Sequence, residues 1–313
     1  MKSMRRAVID VGTNSIKLLV GDVCGGIVHP VEERSEQTRL GSGFYETHVL
    51  QPNPIARTAS AVARFVAMAR EEEAESIRIV ATSAARDAKN ADQLLDAILR
   101  SAGLRVEIIS GDQEAEWVFR GVTSDPHLPQ GKLLILDVGG GSTEFILGEH
   151  GHHSFRQSFA LGSVRLLEKL RPHDPPSLAD LADCRDWLRK FFNLHIGPAL
   201  ESQLGGTARD QVALVGTGGA TTILARVEKK LAGFDRAQIE GTRLSQDQVM
   251  GYMLDFWSRS LAERRKIPGL PPNRADVIIM GVAIYEAVMQ QFHLSELYVS
   301  TRGLRFGALL DTP

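Results

Sequence analysis

Short apolar runs broken by polar turns open the chain and predict strands near 6–11, 16–23 and 27–34. The spacing then changes to the helical period. Ile55, Ala59, Val62, Phe65, Val66 and Ala69 share one face of a helix opening at Pro54, a residue suited to a first turn. Ile77–Ala81 reads as a strand. Asp92–Ala102 reads as a helix with Leu94, Leu95, Ile98 and Leu99 on one side and Gly103 as its stop. Val106–Ile109 is a further strand, and Asp112 suits the N-cap of a helix to about Phe119. The second half repeats this order. Strands are expected near 132–138, 143–149 and 153–160, then helices from Ser163 and from Ser177, the latter to about Ser202. Val212–Val215 is a strand running into the turn Gly216–Gly219; helices follow near 219–231, 245–258 and 273–291. Glu296–Ser300 and Gly303–Leu310 close the chain as strand and helix. His150, His152 and His153 flank Gly151 and read as a hairpin tip.

An internal repeat organises the pattern. Asp10–Gly21 reads DVGTNSIKLLVG and Asp137–Gly148 reads DVGGGSTEFILG; aligned without gaps they share Asp, Val, Gly, Ser and Gly at places 1, 2, 3, 6 and 12. Each follows an apolar run, so each is a strand, a tight Gly turn and a strand. A duplicated domain is the simplest account. The Pro- and Gly-bearing segment His127–Gly131 sits where a boundary is wanted. The expected domains are therefore 1–125 and 126–313, with the last helix free to pack back on the first.

Composition narrows the class. With 43% hydrophobic and 24% charged residues and a net charge of -2, the chain has the makeup of an ordinary globular protein rather than a dedicated nucleic-acid binder. Cys24 and Cys184 lie too far apart for a disulfide framework or zinc motif. No signal-peptide pattern and no apolar run of roughly 18 residues is present, so a cytoplasmic protein with no membrane partner is expected.

The candidate chemistry lies at the repeats. A Gly-rich turn after a strand exposes successive N–H groups that can cradle phosphate oxygens, and small residues admit the phosphate. Asp10, Gly12, Thr13, Asn14 and Ser15 form one such loop; Gly139, Gly140, Gly141, Ser142 and Thr143 form the other, after Asp137. Asp at the strand end suits Mg²⁺ or Mn²⁺, held through one or two carboxylates plus phosphate oxygens. Glu144 reads as a second carboxylate on the same metal. The competing account is two structural hairpins whose Asp residues cap the turns. Ser83 and Arg86 follow the strand at Ala81; Arg grips phosphate with a bidentate fork, or else pairs with Asp87 or Glu114. Glu114 can orient and deprotonate water, or simply complement a helix dipole, and chemistry alone does not rank it against Asp112 or Glu116. Thr217 and Gly218, in the GTGG turn, are a weaker phosphate signal. Arg165 and Arg274 are helix-borne cations suited to a phosphate chain or to structural ion pairs.

Together these segments resemble the exopolyphosphatase/guanosine pentaphosphate phosphohydrolase (Ppx/GppA) family. DVGTNSIKLLV at Asp10, ATSAARDAKN at Ala81, IISGDQEA at Ile108, DVGGGSTE at Asp137 and GTGGATTILA at Gly216 stand in family order, as do NRADVIIMG at Asn273 and STRGLRFG at Ser300. The resemblance implies an α/β protein of two ribonuclease-H-like domains, of the actin and sugar-kinase superfamily, with an interdomain active-site cleft. It implies Glu114 as the water-activating base, Asp137 and Glu144 as metal carboxylates, and Arg86 as the phosphate grip. It also implies release of terminal phosphate from inorganic polyphosphate or guanosine pentaphosphate. Gln113-Glu114-Ala115-Glu116 departs from the usual Glu-Glu-Ala-Arg, so an Arg has become acidic. Stopping at Pro313 suggests the short, two-domain form, with a short phosphate track that a homodimer would extend. Two rivals are an ATP-dependent small-molecule kinase of the same superfamily and a non-catalytic sensor of guanosine tetra- or pentaphosphate.

Overall fold

The computed structural model describes residues 3–149 and 151–311; His150, placed by sequence at a hairpin tip, lies outside the described residues. The chain divides into two compact units. Unit 1 is Met1–Asp125, Gly140–Ser142 and Arg302–Pro313; unit 2 is Pro126–Gly139 and Thr143–Thr301.

Unit 1 is built on β1 (Met4–Val11), β2 (Ile16–Cys24), β3 (Ile27–Glu36), β4 (Ser76–Ala81) and β5 (Val106–Ile108), in the order β3-β2-β1-β4-β5. The first three strands pair antiparallel; β1, β4 and β5 run parallel. The central strand β1 is buried over its last five residues, which is why it reads as a continuous apolar run rather than an alternation. The helices are α1 (Pro52–Glu71), α2 (Ser83–Arg86), α3 (Ala91–Ala102) and α4 (Gly111–Thr123), with a closing helix at Leu304–Leu310. The apolar stripe of α1 is buried as its spacing predicts, but the helix opens at Pro52, two residues early, because Pro52 is itself suited to the first turn. In α3, Leu94 and Ile98 are buried while Leu99 is exposed. The cap of α4 is Ser110, not Asp112: the Ser110 hydroxyl accepts from Gln113 N at 3.1 Å. The Asp311 carboxylate ties the end of the closing helix to α4, accepting from Trp117 Nε1 at 2.9 Å and Arg120 Nη1 at 2.8 Å.

Unit 2 contains β6 (Lys132–Val138), β7 (Thr143–Glu149), β8 (His152–Phe159), β9 (Val212–Thr217), β10 (Arg243–Ser245) and β11 (Glu296–Val299), in the order β10-β11-β9-β6-β7-β8. Apart from the added edge strand β10, strand order and directions repeat those of unit 1. Each unit thus has the mixed five-stranded frame expected of a ribonuclease-H-like domain. Helices α5 (Ser163–Leu170), α6 (Leu178–Phe191), α7 (Gly197–Leu204), α8 (Gly219–Glu228), α9 (Arg236–Ile239), α10 (Gln246–Ser258), α11 (Leu261–Arg264) and α12 (Ile278–Gln291) cover this sheet. The single helix expected from Ser177 to Ser202 is interrupted by a π-helical turn at Phe192–Ile196, ahead of Pro198. The helix expected from 273 starts at Ile278, after a 3₁₀ turn at Pro272–Arg274; the Asp276 carboxylate takes the N–H of Val277 and competes with helical bonding there. Helices α2, α9 and α11 and strand β10 are too short for periodicity to reveal. Among the described residues no helix is long and apolar enough to cross a membrane.

Candidate active site

In unit 1 the first loop joins β1 to β2. Gly12 N donates to Ser15 O at 3.1 Å, closing a tight turn. The segment after β3 braces it: Gln37 Nε2 donates to Asn14 Oδ1 at 3.0 Å, Arg39 N to Asn14 O at 2.9 Å and Gly41 N to Thr13 O at 2.8 Å. Asp10, Thr13, Asn14 and Ser15 are all buried. Asp10 stands opposite Lys17 in the hairpin register. Burial pushes the Asp10 carboxyl above its ordinary value, and the charges of Lys17 and Arg305 oppose the rise.

The second strand–helix corner of the unit brings Arg86 to Glu114. Ser83, buried, begins α2, and Arg86 ends it. Arg86 Nη1 donates to Glu114 Oε2 and to Ile109 O, each at 3.0 Å. Of the two acidic partners open to Arg86 by sequence, Glu114 is the one it meets. Both bonds use Nη1, so the Nε–Nη2 edge of the fork is not engaged by the described residues. The three carboxylates that sequence left unranked now differ. Asp112 is exposed; Glu114 is buried and held by Arg86; Glu116 pairs with Arg120 at 2.7 Å on another side of α4.

The tip of the β6–β7 turn, Gly140–Ser142, belongs to unit 1. Gly141 is enclosed there. A Cβ at this position would overlap Tyr45 Oη and lie 2.5 Å from Ser83 Oγ and 2.7 Å from Thr13 Oγ1. A side chain here would force its neighbours to move, and the three nearest atoms are hydroxyl oxygens from three separate segments.

In unit 2, Asp137 near the end of β6 stands directly opposite Glu144 on β7. Directly opposed residues of an antiparallel pair share a face, so two carboxylates lie side by side. Asp137 is half-buried and Glu144 fully buried; Glu144 Oε1 accepts from Ser158 Oγ at 2.7 Å. Gly218, at φ 86°, lies against Asp137, and a Cβ there would overlap Asp137 Oδ1. Tyr285 reaches under this corner from α12. Its hydroxyl is 3.1 Å from Leu136 O and 3.3 Å from Thr217 O, joining the ends of β6 and β9. Burial, and next the charge of Asp137, push its phenol well above the ordinary range. Thr143 is fully buried with its hydroxyl donated to Leu161 O at 2.6 Å, and Gly139 O accepts from Ser163 N at 3.0 Å. Arg165 is half-buried on α5, and Arg274 half-buried in the 3₁₀ turn before α12.

Among the described residues no cluster of three or more His, Cys, Asp or Glu stands ready to cage a metal. The Asp137–Glu144 pair nonetheless suits Mg²⁺, which uses one or two carboxylates and takes its other ligands from water and phosphate. Sequence reasoning missed Lys17 and Tyr285, which stand beside Asp10 and Asp137. For Lys17 a signal existed, since it occupies the place in the repeat held by Glu144 in the second copy. Tyr285 carried none.

The chain is similar to known proteins over nearly its whole length. Over residues 19–312 the chain matches the family model of the Ppx/GppA phosphatase family. It is 32% identical to Exopolyphosphatase 2 of Mycobacterium tuberculosis, with 99% of each chain covered. It is 27% identical to a guanosine-5'-triphosphate,3'-diphosphate pyrophosphatase of Aeromonas salmonicida, covering 97% of this chain and 58% of that one. Among solved structures it is similar to an exopolyphosphatase from Cytophaga hutchinsonii, at TM-score 0.87 and 28% identity over 98% of this chain and 96% of that one. It is also similar to the Aquifex aeolicus Ppx/GppA family member, at 0.78 and 30% over 99% and 97%. The chain therefore belongs to the Ppx/GppA phosphatase family and is a phosphate-releasing hydrolase.

Proposed function

We propose that this enzyme removes the terminal phosphate of inorganic polyphosphate or of guanosine pentaphosphate, in the cytoplasm and with a divalent metal. The observation that carries the metal-dependent part is the Asp137–Glu144 pair beside the Gly139–Ser142 turn. Two acidic groups next to a phosphate loop would repel the substrate unless a cation lay between. Asp137 and Glu144 would hold Mg²⁺ or Mn²⁺, and when bound the ion supplies neutralisation of the phosphoryl oxygens.

The remaining roles fall to the chain's own groups. Glu114, oriented by Arg86, takes a proton from the attacking water as the water oxygen bonds to the terminal phosphorus and the bridging oxygen departs with the rest of the substrate. The unengaged edge of Arg86 grips a phosphoryl oxygen. Backbone N–H groups of the Gly12–Ser15 and Gly139–Ser142 turns, with Ser83, hold the group in line. Arg165, Thr217, Gly218 and Arg274 are assigned to the rest of the substrate. Names of relatives support both substrates: one is an exopolyphosphatase, another a guanosine-5'-triphosphate,3'-diphosphate pyrophosphatase. The acidic departure at Glu116 is absorbed by Arg120 and leaves the Arg86–Glu114 pair intact, which supports turnover over binding alone.

The test is phosphate release from tripolyphosphate, long-chain polyphosphate and guanosine pentaphosphate, each with Mg²⁺ and with excess chelator. Release that stops with chelator is expected. Absence of release from all three sinks the proposal, and ATP-dependent phosphorylation of a small acceptor would put the kinase in its place.

A further inference from the structure

The geometry points to Ser158 as a positioning residue: its hydroxyl orients the Glu144 carboxylate for a bound cation. The role rests on the metal-dependent function proposed above and adds a residue that acts through Glu144 rather than on the substrate. Three observations support it. The first is placement. Four polar residues stand in one row across the sheet of unit 2. Ser158 on β8 faces Glu144 on β7, Glu144 faces Asp137 on β6, and Asp137 faces Thr217 on β9. Neighbours in such a row share a face of the sheet. Ser158 Oγ donates to Glu144 Oε1 at 2.7 Å. Strand β8 lies on the far side of β7 from β6, so this bond holds Glu144 without standing between the two acids.

The second is a fixed and dry setting. Next to Ser158, Phe159 is buried and packs edge-on against Phe145, with ring centroids 5.5 Å apart. Just beyond it the Thr143 hydroxyl donates to Leu161 O at 2.6 Å. These two contacts flank Glu144 and hold the end of β8 to β7, so the Ser158 donor is already in place when an ion arrives. Asp137 is half-buried and gives solvent and ions access to the pair, whereas Glu144 is only 1% exposed and depends on protein donors. The third is contrast. Unit 1 places Ser35 opposite Lys17, where unit 2 places Ser158 opposite Glu144. Ser35 is exposed, and among the described residues no hydrogen bond joins it to Lys17, so the frame alone does not make this bond. A carboxylate that ligates a metal is held by an outer partner, and losing that partner typically costs about 10–100-fold in metal affinity.

Ser158→Ala tests this directly, since it removes the hydroxyl and keeps the strand. Mn²⁺ binding, followed by electron paramagnetic resonance, should weaken by roughly 10–100-fold, and the Mg²⁺ needed to raise the melting temperature should increase by the same factor. In phosphate release from tripolyphosphate, the Mg²⁺ needed for half-maximal rate should rise by a larger factor than kcat at saturating Mg²⁺ falls. Ser158→Thr keeps a hydroxyl and should recover most of the affinity. Ser154→Ala is the structural comparison: on the same strand, its hydroxyl lies 3.5 Å from Leu147 O, and its loss should leave Mn²⁺ binding unchanged. Unchanged Mn²⁺ binding in Ser158→Ala overturns the assignment. So does a loss of affinity that Ser158→Thr or Ser154→Ala shares in full. Wild-type protein that binds neither Mg²⁺ nor Mn²⁺ refutes the metal site itself, whereas wild type that binds them, beside an unaltered Ser158→Ala, refutes only the role of Ser158.

Discussion

Neutralising one carboxylate of the Asp137–Glu144 pair should make the metal-free protein more stable while abolishing its response to Mg²⁺. Glu144 is fully buried, Asp137 half-buried, and the two stand opposite in register. Opposed side chains of an antiparallel pair start about 5 Å apart. Two unit charges at that distance repel by about 3 kcal/mol at an effective dielectric of 20. Solvent around Asp137 reduces this, so Glu144→Gln should gain roughly 1–3 kcal/mol in chelator. At about 2–4 °C per kcal/mol for a unit of this size, the melting temperature should rise by several degrees. Gln keeps an oxygen to accept from Ser158, so that bond is preserved. In wild type, Mg²⁺ at 100 times its dissociation constant should add about 2.7 kcal/mol by linkage. The variant should show little of this. The assay is thermal unfolding of both proteins in chelator and across a Mg²⁺ titration. A variant less stable than wild type in chelator, or one that Mg²⁺ stabilises equally, would refute the electrostatic account of this pair.

Glu114→Gln should lower kcat by ~10²-fold or more with substrate binding retained, while Glu116→Gln, which releases Arg120, should stay near wild type; the reverse order in a phosphate-release assay would move the base to Glu116. Arg86→Ala should raise KM and lower kcat, and Arg86→Lys should recover only part, because an ammonium cannot hold Ile109 O, Glu114 and a phosphoryl oxygen as a planar fork does; a lysine variant equal to wild type in steady-state kinetics would remove Arg86 from the substrate. Burial raises the Asp10 carboxyl above its ordinary 3.8, so the folded state holds that proton more tightly than the unfolded chain. The resulting stability is present below the ordinary value and is lost as pH rises through the raised one. Asp10→Asn should therefore match wild type in urea unfolding near pH 3 and exceed it increasingly toward neutrality; a gap that narrows as pH rises would contradict this.

The elements legible in sequence were those that local physics decides. The β1–β2 and β6–β7 hairpins stood out because two buried strands and a Gly turn leave a short, self-contained pattern. Where two local signals competed, only tertiary geometry chose. Ser110 and Asp112 are both good caps, and the chain entering α4 after β5 gave the place to Ser110. The π-helical turn at Phe192–Ile196 hides inside a continuous helical pattern, because Phe192 and Ile196 keep facing the core on either side of it. The Arg86–Glu114 pair was one of two partners open to Arg86, and nothing local ranks an acid 28 residues away against a neighbour. Tyr285 was out of reach, since the backbone groups it meets come near only when distant segments pack.

The repeat itself carries the deeper lesson, because its two copies agree in frame and disagree in charge. In both hairpins an Asp at the end of the first strand faces the residue seven places later on the second: Asp10 faces Lys17, and Asp137 faces Glu144. The strand order around them is the same, so the difference is not one of scaffold. In the first copy the cation is built in. Lys17, joined by Arg305 from the closing helix, opposes the cost of burying Asp10. In the second copy the facing residue is another acid, and the corner is tied from beneath by Tyr285, a neutral group. An ionised acid buried beside another acid is costly unless a positive charge lies near or a proton is taken up. Under the proposed function, a single position in the repeat, Lys17 in one copy and Glu144 in the other, would decide whether the counter-charge is part of the chain or is drawn from a bound cation.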